Sequence, residues 1–244
     1  MAVTVHSIDK NTWCFDEGGV RFFLLAGKER ALLIDSGMQT RNAKELAEEL
    51  TDLPISLLNT HADPDHIGSN HEFDSFYMSL AECSNYYHGV GRGGKVIPVW
   101  DGETLDLGDR PLRIIALPGH TPGSIGVLDV KNRRIFTGDP IQDGRIFMFG
   151  PQRDMHAYIH SLSRLERYTD LFDEIFPSHG TCPVKSALIP QLKQAAEQIL
   201  EGKAEGQREE IFGRPIVAYD MGGATFLCDE ACAGVRGQGS GTRE

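Results

Sequence analysis

The sequence has no apolar stretch that approaches the ~20 residues needed to span a bilayer, and no charged start followed by an apolar core. Positive charge is also scarce, because 24 Lys and Arg stand against 35 Asp and Glu and give a formal net charge of −11. Nucleic acids and anionic membranes bind basic surfaces. We therefore expect a cytoplasmic protein that acts on a small-molecule substrate and binds neither nucleic acid nor membrane.

Cysteine is sparse as well. The five cysteines are scattered along the chain, at Cys14, Cys83, Cys182, Cys228 and Cys232. An odd, scattered set suits a reducing compartment better than a disulfide framework. Cys228 and Cys232 lie closest together, but no second pair completes a zinc knuckle. Cys182 follows His179 by three residues, and we interpret it as a packing residue of that loop.

The 244 residues contain no linker and no shift in composition. We therefore predict one domain over residues 1–228, a length that can bury a large core. Residues 229–244 are predicted to be a disordered tail, because the run from Gly234 to Glu244 has almost no apolar content. The sequence leaves the oligomeric state open.

Short apolar strands alternate with amphipathic helices in both halves of the chain, which indicates an α+β fold with sheets covered by helices. Helices are predicted over Arg41–Thr51, Met155–Asp170 and Lys185–Gly202. Ile211–Tyr219 and Ala224–Cys228 are predicted to be a final pair of strands. The apolar segment from Gln142 to Phe149 has no clear period and supplies either core packing or an apolar wall of a substrate pocket.

One stretch carries an unusual density of side chains that bind metals. After the apolar strand Ile55–Leu58, the segment Asn59–Gly68 brings two histidines and two aspartates in the order His61, Asp63, Asp65, His66, with Pro64 between the two aspartates. Imidazole nitrogen and carboxylate oxygen reach a divalent cation at roughly 2.0–2.2 Å. Asp63 and Pro64 also suit the start of a short helix from Pro64 to about Asn70. Helix capping leaves both histidines and Asp65 unexplained.

Three later apolar strands end in the same manner. The first runs into Pro118-Gly119-His120, the second into Gly138-Asp139, and the third into His179-Gly180. A single His or Asp after a strand is most often a turn residue. Four coincident strand ends are hard to obtain by chance, so we expect these side chains to meet at one edge of the fold.

These motifs resemble those of the metallo-β-lactamase-fold hydrolase superfamily. The similarity consists of His61-x-Asp63-x-Asp65-His66, His120 in Pro-Gly-His-Thr-Pro-Gly-Ser, Asp139 in Thr-Gly-Asp, and His179 in Ser-His-Gly. It runs from about Asn11 to Cys228. The resemblance implies a four-layer αββα sandwich with a metal site at one edge between two facing sheets. In that family, an aspartate placed like Asp35 lies beneath the metal site, although a turn residue before Gly37 explains Asp35 equally well.

The resemblance also implies the ligands and the chemistry. It assigns His61, Asp63 and His120 to a first metal ion, Asp65, His66 and His179 to a second, and Asp139 to a bridge between them. The implied activity is a dinuclear metal-dependent hydrolase that uses a metal-bridging hydroxide on a small ester, thioester, lactone, amide or phosphoester. Asp65 additionally accepts or relays a proton, as the catalytic residue.

Asp63 departs from the family pattern, because the hydrolases usually have histidine at its position. Flavodiiron proteins of the same fold have an acidic residue there, which makes a diiron oxidoreductase the alternative. A metal-binding regulatory protein is a third possibility. A carboxylate is a harder ligand than imidazole and favours iron or manganese over zinc. The expected cofactors are therefore two divalent metal ions, which are either zinc or one of the metals iron and manganese.

Overall fold

The computed structural model describes residues 3–89 and 93–230, and its first sheet has seven strands in chain order. Residues 90–92, and all but two residues of the predicted tail, lie outside the described residues. The strands are β1 (Thr4–Asp9), β2 (Thr12–Asp16), β3 (Arg21–Ala26), β4 (Ala31–Ile34), β5 (Ile55–Leu58), β6 (Ser75–Met78) and β7 (Lys95–Pro98). Pairing is antiparallel from β1 to β4 and parallel from β4 to β7.

The second sheet has six strands in the order β14-β13-β11-β10-β9-β8. These are β8 (Thr104–Asp106), β9 (Pro111–Ala116), β10 (Ile125–Asp129), β11 (Arg134–Gly138), β13 (Glu174–Pro177) and β14 (Val184–Lys185). A third sheet has the order β12-β17-β16-β15, formed by β12 (Arg145–Met148), β15 (Gln207–Ile211), β16 (Arg214–Asp220) and β17 (Thr225–Cys228).

The helices cover the outer faces of the two large sheets. They are α1 (Ala43–Glu48), α2 (Cys83–His88), α3 (Met155–Leu165) and α4 (Leu188–Leu200), with short 3₁₀ turns at Asn70–Glu72, Leu80–Glu82 and Glu166–Leu171. Residues of α1 and α2 pack into one apolar cluster with the first sheet, and residues of α3 and α4 pack into another with the second. This arrangement confirms the four-layer αββα sandwich of the α+β class.

Alternation along the strands explains why two sheets face each other. In β3, Phe22 and Leu24 point toward the helices, whereas Phe23 and Leu25 point into the layer between the sheets. Successive side chains of a strand point to opposite faces, so a continuously apolar strand is buried on both sides. The Phe23 ring meets Phe136 of the second sheet at 5.1 Å between centroids.

A buried ion pair joins the two sheets at Arg110, between β8 and β9. Its Nε and Nη2 lie 2.9 and 2.7 Å from Oδ2 of Asp129, at the end of β10. Its Nη1 donates to the carbonyl oxygens of Asn11 and Ala26 in the first sheet, and its Nη2 donates to the hydroxyl of Thr12. One guanidinium therefore ties both sheets together with all its polar groups satisfied.

The structure corrects two predicted elements. The segment from Pro64 to Asn70 is a series of turns rather than a short helix. Its backbone bonds to the neighbouring loop instead: the amides of Gly68 and Ser69 donate to the carbonyl oxygens of Gly37 and Ser36, and the carbonyl oxygen of His66 accepts from the amide of Ser36. The predicted strand Ile211–Tyr219 is broken at Phe212 and Gly213, which form a two-residue turn between β15 and β16. In the described part of the chain no helix is long and apolar enough to cross a membrane.

Candidate metal centre

Four strand ends bring the seven predicted residues to one edge of the sandwich. His61, Asp63, Asp65 and His66 follow β5, His120 follows β9, Asp139 follows β11, and His179 follows β13. Two groups within the described residues are able to hold a metal ion, and Asp139 belongs to both. The first contains His61, His120 and Asp139; the second contains Asp65, His66, Asp139 and His179.

The spacing of the donor atoms suits coordination of a common ion. Two ligands about 2.0–2.1 Å from one tetrahedral cation lie about 3.3–3.4 Å apart. Nε2 of His61 and Nε2 of His120 are 3.3 Å apart. Asp63 is outside both groups of close donor atoms, but its Oδ2 lies 3.3 Å from Nε2 of His120 and 3.6 Å from Nε2 of His61. Its placement is therefore that of a third donor beside these two histidines.

Asp139 faces the two groups with different oxygens. Its Oδ1 lies 3.1 Å from Nε2 of His66 and 3.3 Å from Nε2 of His179, whereas its Oδ2 lies 3.5 Å from Nε2 of His120. Oδ2 of Asp65 completes the second group at 3.0 Å from Nε2 of His179. A carboxylate turned in this way suits a bridge between two cations.

Hydrogen bonds at Nδ1 fix the orientation of each imidazole. Nδ1 of His120 donates to the carbonyl oxygen of Phe147 over 2.9 Å, and Nδ1 of His179 donates to that of Gly19 over 2.6 Å. Because carbonyl oxygens only accept, the hydrogen is on Nδ1 and the lone pair of Nε2 faces the centre. Such outer partners fix the tautomer of histidines that bind metals.

Asp35 does the same for one histidine of each group. Its Oδ2 accepts from Nδ1 of His66 over 2.8 Å and from the hydroxyl of Thr60 over 2.7 Å. That hydroxyl in turn lies 3.0 Å from Nδ1 of His61 and accepts its hydrogen. Asp35 is 1% exposed and follows β4 with a φ of 63°. The structure therefore places Asp35 beneath the centre, where the family resemblance put it.

These hydrogen bonds leave buried atoms that fit a cation. With the hydrogen of His66 on Nδ1, its Nε2 presents a lone pair to Oδ1 of Asp139 at 3.1 Å. Both atoms are buried without a hydrogen-bond partner. Two facing lone pairs repel each other unless a positive charge lies between them, and burial strengthens that repulsion. The donor set therefore fits metal ions.

The pKa values of His66 and His179 also indicate that the centre favours a positive charge. Burial lowers the pKa of His66, but the carboxylates of Asp65, Asp139 and Asp35 outweigh burial and hold that pKa well above its ordinary value. Burial likewise lowers the pKa of His179, yet Asp139 and Asp65 raise it to about 10. A divalent cation satisfies the same carboxylates and displaces such protons.

Asp63 has a partner that the sequence did not reveal. Nη2 of Arg153 lies 2.6 Å from Oδ2 of Asp63, and the Arg153 side chain is only 12% exposed. Burial raises the pKa of Asp63, but its contacts with His120 and His61 hold that pKa far below the ordinary value. Asp63 is thus ionised, and Arg153 offsets the charge that a carboxylate adds relative to histidine. No motif points to Arg153, which lies 90 residues away.

Glu82 is a second residue that the sequence left unnoticed. Its carboxylate is fully buried and accepts from the backbone amides of Ala62 and Gly123, over 2.9 and 2.7 Å. It thereby holds the loop that carries His61 against the loop that carries His120.

The backbone around the centre is also tightly packed at Gly138, since a Cβ there would lie 2.6 Å from the Thr60 hydroxyl oxygen.

A pocket of about 470 Å³ opens beside the centre. Asp63 and Asp65 line it, and the rings of Phe147, Phe149 and Phe212 give it an aromatic side. Of the segment Gln142–Phe149, Phe147 and Phe149 line the pocket, whereas Ile146 and Met148 are buried in the core. A cleft of this size and composition suits a small substrate with an apolar part.

An αββα sandwich with histidines and aspartates at four strand ends is typical of one class of protein, the metal-dependent hydrolases of this fold. The comparison with family models agrees, because the model described as the metallo-beta-lactamase superfamily matches residues 16–179. The chain belongs to that superfamily and is a metal-dependent hydrolase.

Two curated relatives are thioester hydrolases by name. The acyl-coenzyme A thioesterase MBLAC2 of Homo sapiens is 26% identical over 209 residues, which cover 68% of this chain and 75% of that protein. The hydroxyacylglutathione hydrolase GloC of Haemophilus influenzae is 32% identical over 156 residues, which cover 55% of this chain and 73% of that protein.

Solved structures share the fold at low sequence identity. A metallo-beta-lactamase from Pontibacter korlensis has a TM-score of 0.69 and 18% identity, covering 80% of this chain and 99% of that one. The metallo-beta-lactamase FIM-1 from Pseudomonas aeruginosa, in its mono-zinc form, has a TM-score of 0.67 and 19% identity, covering 81% of this chain and 96% of that one. These similarities concern the fold alone.

Proposed function

We propose that the protein is a dinuclear metal-dependent thioesterase. The observation that carries the proposal is the aromatic pocket that opens directly on Asp63 and Asp65. An apolar pocket beside a cation centre suits a substrate with an apolar acyl group and a polarised carbonyl. The names of the relatives support a thioester, since MBLAC2 and GloC both cleave that bond class.

In this proposal the ligands divide as the family resemblance implies. His61, Asp63 and His120 would hold one cation and Asp65, His66 and His179 the other, and Asp139, whose two oxygens face the two groups, would be shared between them. Two such cations supply a nucleophilic hydroxide near neutral pH and polarise the carbonyl of the substrate. The hard oxygen of Asp63 favours iron or manganese beside zinc at the first position.

The residues of the chain perform the remaining tasks. The thioester lies in the pocket with its carbonyl toward the two groups, and the aromatic side excludes water from the acyl chain. Asp65 lines the pocket and is 25% exposed, so its carboxylate is placed to take a proton from the attacking water. The C–S bond then breaks, the sulfur takes the proton held by Asp65 and leaves as a thiol, and the acyl group leaves as a carboxylate while the second proton of the water passes to solvent.

Metal titration combined with a substrate panel tests the proposal. Metal-free protein is titrated with zinc, manganese or ferrous iron, and we expect saturation at about two equivalents, because seven donors exceed the four of one tetrahedral ion. The loaded protein is then assayed on acyl-coenzyme A, hydroxyacylglutathione, matching oxyesters, a β-lactam and a phosphodiester. We expect cleavage of the thioesters above the other classes.

Asp139→Ala is the informative variant, and Asp74→Ala, an exposed aspartate, is its control. We expect Asp139→Ala to bind less metal and to lose hydrolysis while circular dichroism shows an intact fold. Wild-type turnover by metal-replete Asp139→Ala, or saturation of the wild type at one equivalent, would refute the dinuclear mechanism. Equal rates on oxyesters and thioesters would refute the substrate class.

The same preparation tests the diiron alternative, which Asp63 supports by placing a carboxylate 3.3 Å from Nε2 of His120. Iron-loaded protein is supplied with a chemical reductant, and oxygen uptake is measured. A diiron oxidoreductase consumes oxygen with many turnovers. We expect no more than a single stoichiometric oxidation.

A further inference from the structure

The most exposed large apolar side chain of the described residues lies at the mouth of the pocket. Phe212 is 85% exposed and forms the turn of the β15–β16 hairpin with Gly213. Because the Phe212 side chain is so exposed, packing in the hydrophobic core does not explain why a phenylalanine occupies this position. Its ring lines the same pocket as Asp63 and Asp65.

The backbone at Phe212 is unfavourable for a bulky residue. The φ values of Phe212 and Gly213 are 52° and 73°, and the flanking residues Ile211 and Arg214 pair directly. A two-residue turn with both φ values positive strongly prefers Asn-Gly, whereas a large side chain in the left-handed region is uncommon. Such an outlier at a pocket points to a role for the side chain itself.

The hairpin is connected to the metal centre through Phe147. The Phe212 ring approaches Phe147 edge-on at 6.4 Å between centroids, and Phe147 lies 5.3 Å from Phe149. The carbonyl oxygen of Phe147 accepts the Nδ1 hydrogen of His120. The three rings therefore extend as one aromatic wall from a residue at the centre to the solvent edge of the pocket.

Besides Asp63 and Asp65, the charged residues that line the pocket are Arg153 and the exposed Arg214, which follows the turn. Arg153, which also lines the pocket, is already paired with Asp63. The rings of Phe147, Phe149 and Phe212 carry no charge, so they offer contact to an uncharged group. An alkyl chain is the group that gains most from contact with the rings, because each methylene removed from water contributes to binding.

We propose that the β15–β16 hairpin is an acyl clamp, in which Phe212 together with Phe147 and Phe149 binds the saturated acyl chain of the substrate and sets a preference for longer chains. The inference rests on the proposed thioesterase function. It assigns a specificity role to a residue outside the metal centre. It commits to a linear alkyl chain in contact with the aromatic wall.

The chain-length profile of Phe212→Asn tests the clamp. Asn-Gly is the preferred sequence of this turn, so the substitution removes the ring while retaining the hairpin. We measure kcat/KM for acyl-coenzyme A substrates from acetyl to dodecanoyl. We expect the ratio of kcat/KM for dodecanoyl to that for acetyl to fall about tenfold, equivalent to the contribution of one to two buried methylenes. Phe212→Leu should retain most of the ratio.

Trp100→Asn is the matched control, because Trp100 is 60% exposed and is not part of the pocket. It should leave the ratio unchanged. An unchanged ratio in Phe212→Asn, with the metal content of the wild type, would overturn the clamp. So would an equal fall in Trp100→Asn, since it would indicate a general effect of surface aromatics.

Binding of a substrate analogue separates the clamp from the proposed function. An S-alkyl thioether of coenzyme A lacks the carbonyl and is not hydrolysed, so its affinity can be measured by calorimetry on the metal-loaded protein. Affinity should rise from methyl to dodecyl in the wild type and much less in Phe212→Asn. If no thioester is cleaved but this difference is present, the thioesterase proposal fails and the clamp stands. If both proteins bind dodecyl equally, the clamp is wrong.

Discussion

At the scale of single residues, one aspartate beneath the centre controls both groups of ligands. Asp35 bonds directly to His66 and, through the hydroxyl of Thr60, to His61. Neither histidine can turn without breaking a hydrogen bond that is wholly buried. The metal geometry therefore depends on a side chain that touches no substrate.

Asp35→Asn should weaken metal binding about 10- to 100-fold, because the amide cannot accept from His66 and Thr60 as a carboxylate does. Competition with a chromophoric chelator measures the affinity. Asp109→Asn is the matched control, since Asp109 also has a positive φ of 57° but is exposed and paired with Lys28 and Lys131. Equal affinities for the wild type and Asp35→Asn would contradict the role of Asp35.

Asp63→His restores the residue usual in the resembling hydrolases and should raise zinc occupancy relative to iron and manganese. The same substitution should also lower the stability of the fold, because Arg153 loses its only acidic partner among the described residues. An unpaired guanidinium at 12% exposure destabilises the fold by about 1–3 kcal/mol. We therefore expect Asp63→His to lower the unfolding free energy and Asp63→His with Arg153→Met to recover most of it.

Elemental analysis and urea unfolding of the metal-free proteins check these two effects. All variants are expressed side by side in medium containing zinc, iron and manganese. Identical metal contents would show that Asp63 does not affect metal choice. Equal stability of the single and double variants would show that the contact between Arg153 and Asp63 is not an effective ion pair.

At the scale of elements, carboxylates hold the loops after the strands by accepting hydrogen bonds from several backbone amides. Glu82 joins the loops of His61 and His120. Glu17 holds the loop after β4, where it accepts from the amides of Met38, Gln39 and Thr40. Met38 lines the pocket, so the shape of this loop bears on substrate access.

Glu17→Gln should reduce the stability of this loop in a pH-dependent manner. Burial raises the pKa of Glu17, but the hydrogen bonds from Thr40, Gln39 and Met38 outweigh burial and lower it below the ordinary 4.5. Because the folded pKa is the lower one, the stabilisation is complete above about pH 4.5 and disappears as the pH falls through the folded pKa. The expected loss at pH 7 is about 1 kcal/mol.

Urea unfolding from pH 7 to pH 3 measures this contribution. The difference between the wild type and Glu17→Gln should shrink as the pH falls. Glu49→Gln, an exposed change directly after α1, should show no such trend. A difference that grows toward pH 3 would have the wrong sign for the mechanism.

At the scale of the whole molecule, the two sheets are joined by apolar packing and by Arg110. The metal centre occupies the edge formed by the ends of β4 and β5, whereas Arg110 contacts the carbonyl oxygen of Ala26, where the chain turns from β3 toward β4. The fold and the centre are therefore stabilised at different ends of the sandwich.

Arg110→Met should destabilise the protein by about 3–5 kcal/mol, because Asp129 is fully buried and loses its cation. Arg110→Met with Asp129→Leu should recover part of that loss. Metal affinity should remain within about threefold of the wild type if the two ends are independent. Guanidinium unfolding and metal titration together check this, and a large loss of affinity would show that the ends are coupled.

The strand ends with histidine and aspartate were predictable because local signals specify them. Apolar runs of four to six residues mark β5, β9, β11 and β13, and each stops at a residue with a donor side chain. The helices α3 and α4 were predicted within a few residues for the same reason, since their apolar faces repeat at the helical period. Gln142–Phe149 carried no period, and only pairing with β17 makes part of it a strand.

The sequence by itself determined which residues can bind metal, that they follow strands, and that helices cover the sheets, because these depend on side-chain chemistry and on local periodicity. The four-layer sandwich was implied by the family resemblance. Only the tertiary structure decided the partners of those residues. Arg153 meets Asp63, Glu82 bridges two loops, and Phe212 reaches Phe147 across 65 positions of the sequence. Such contacts join segments that share no local pattern, so they arise only when the sheets and the hairpin have packed.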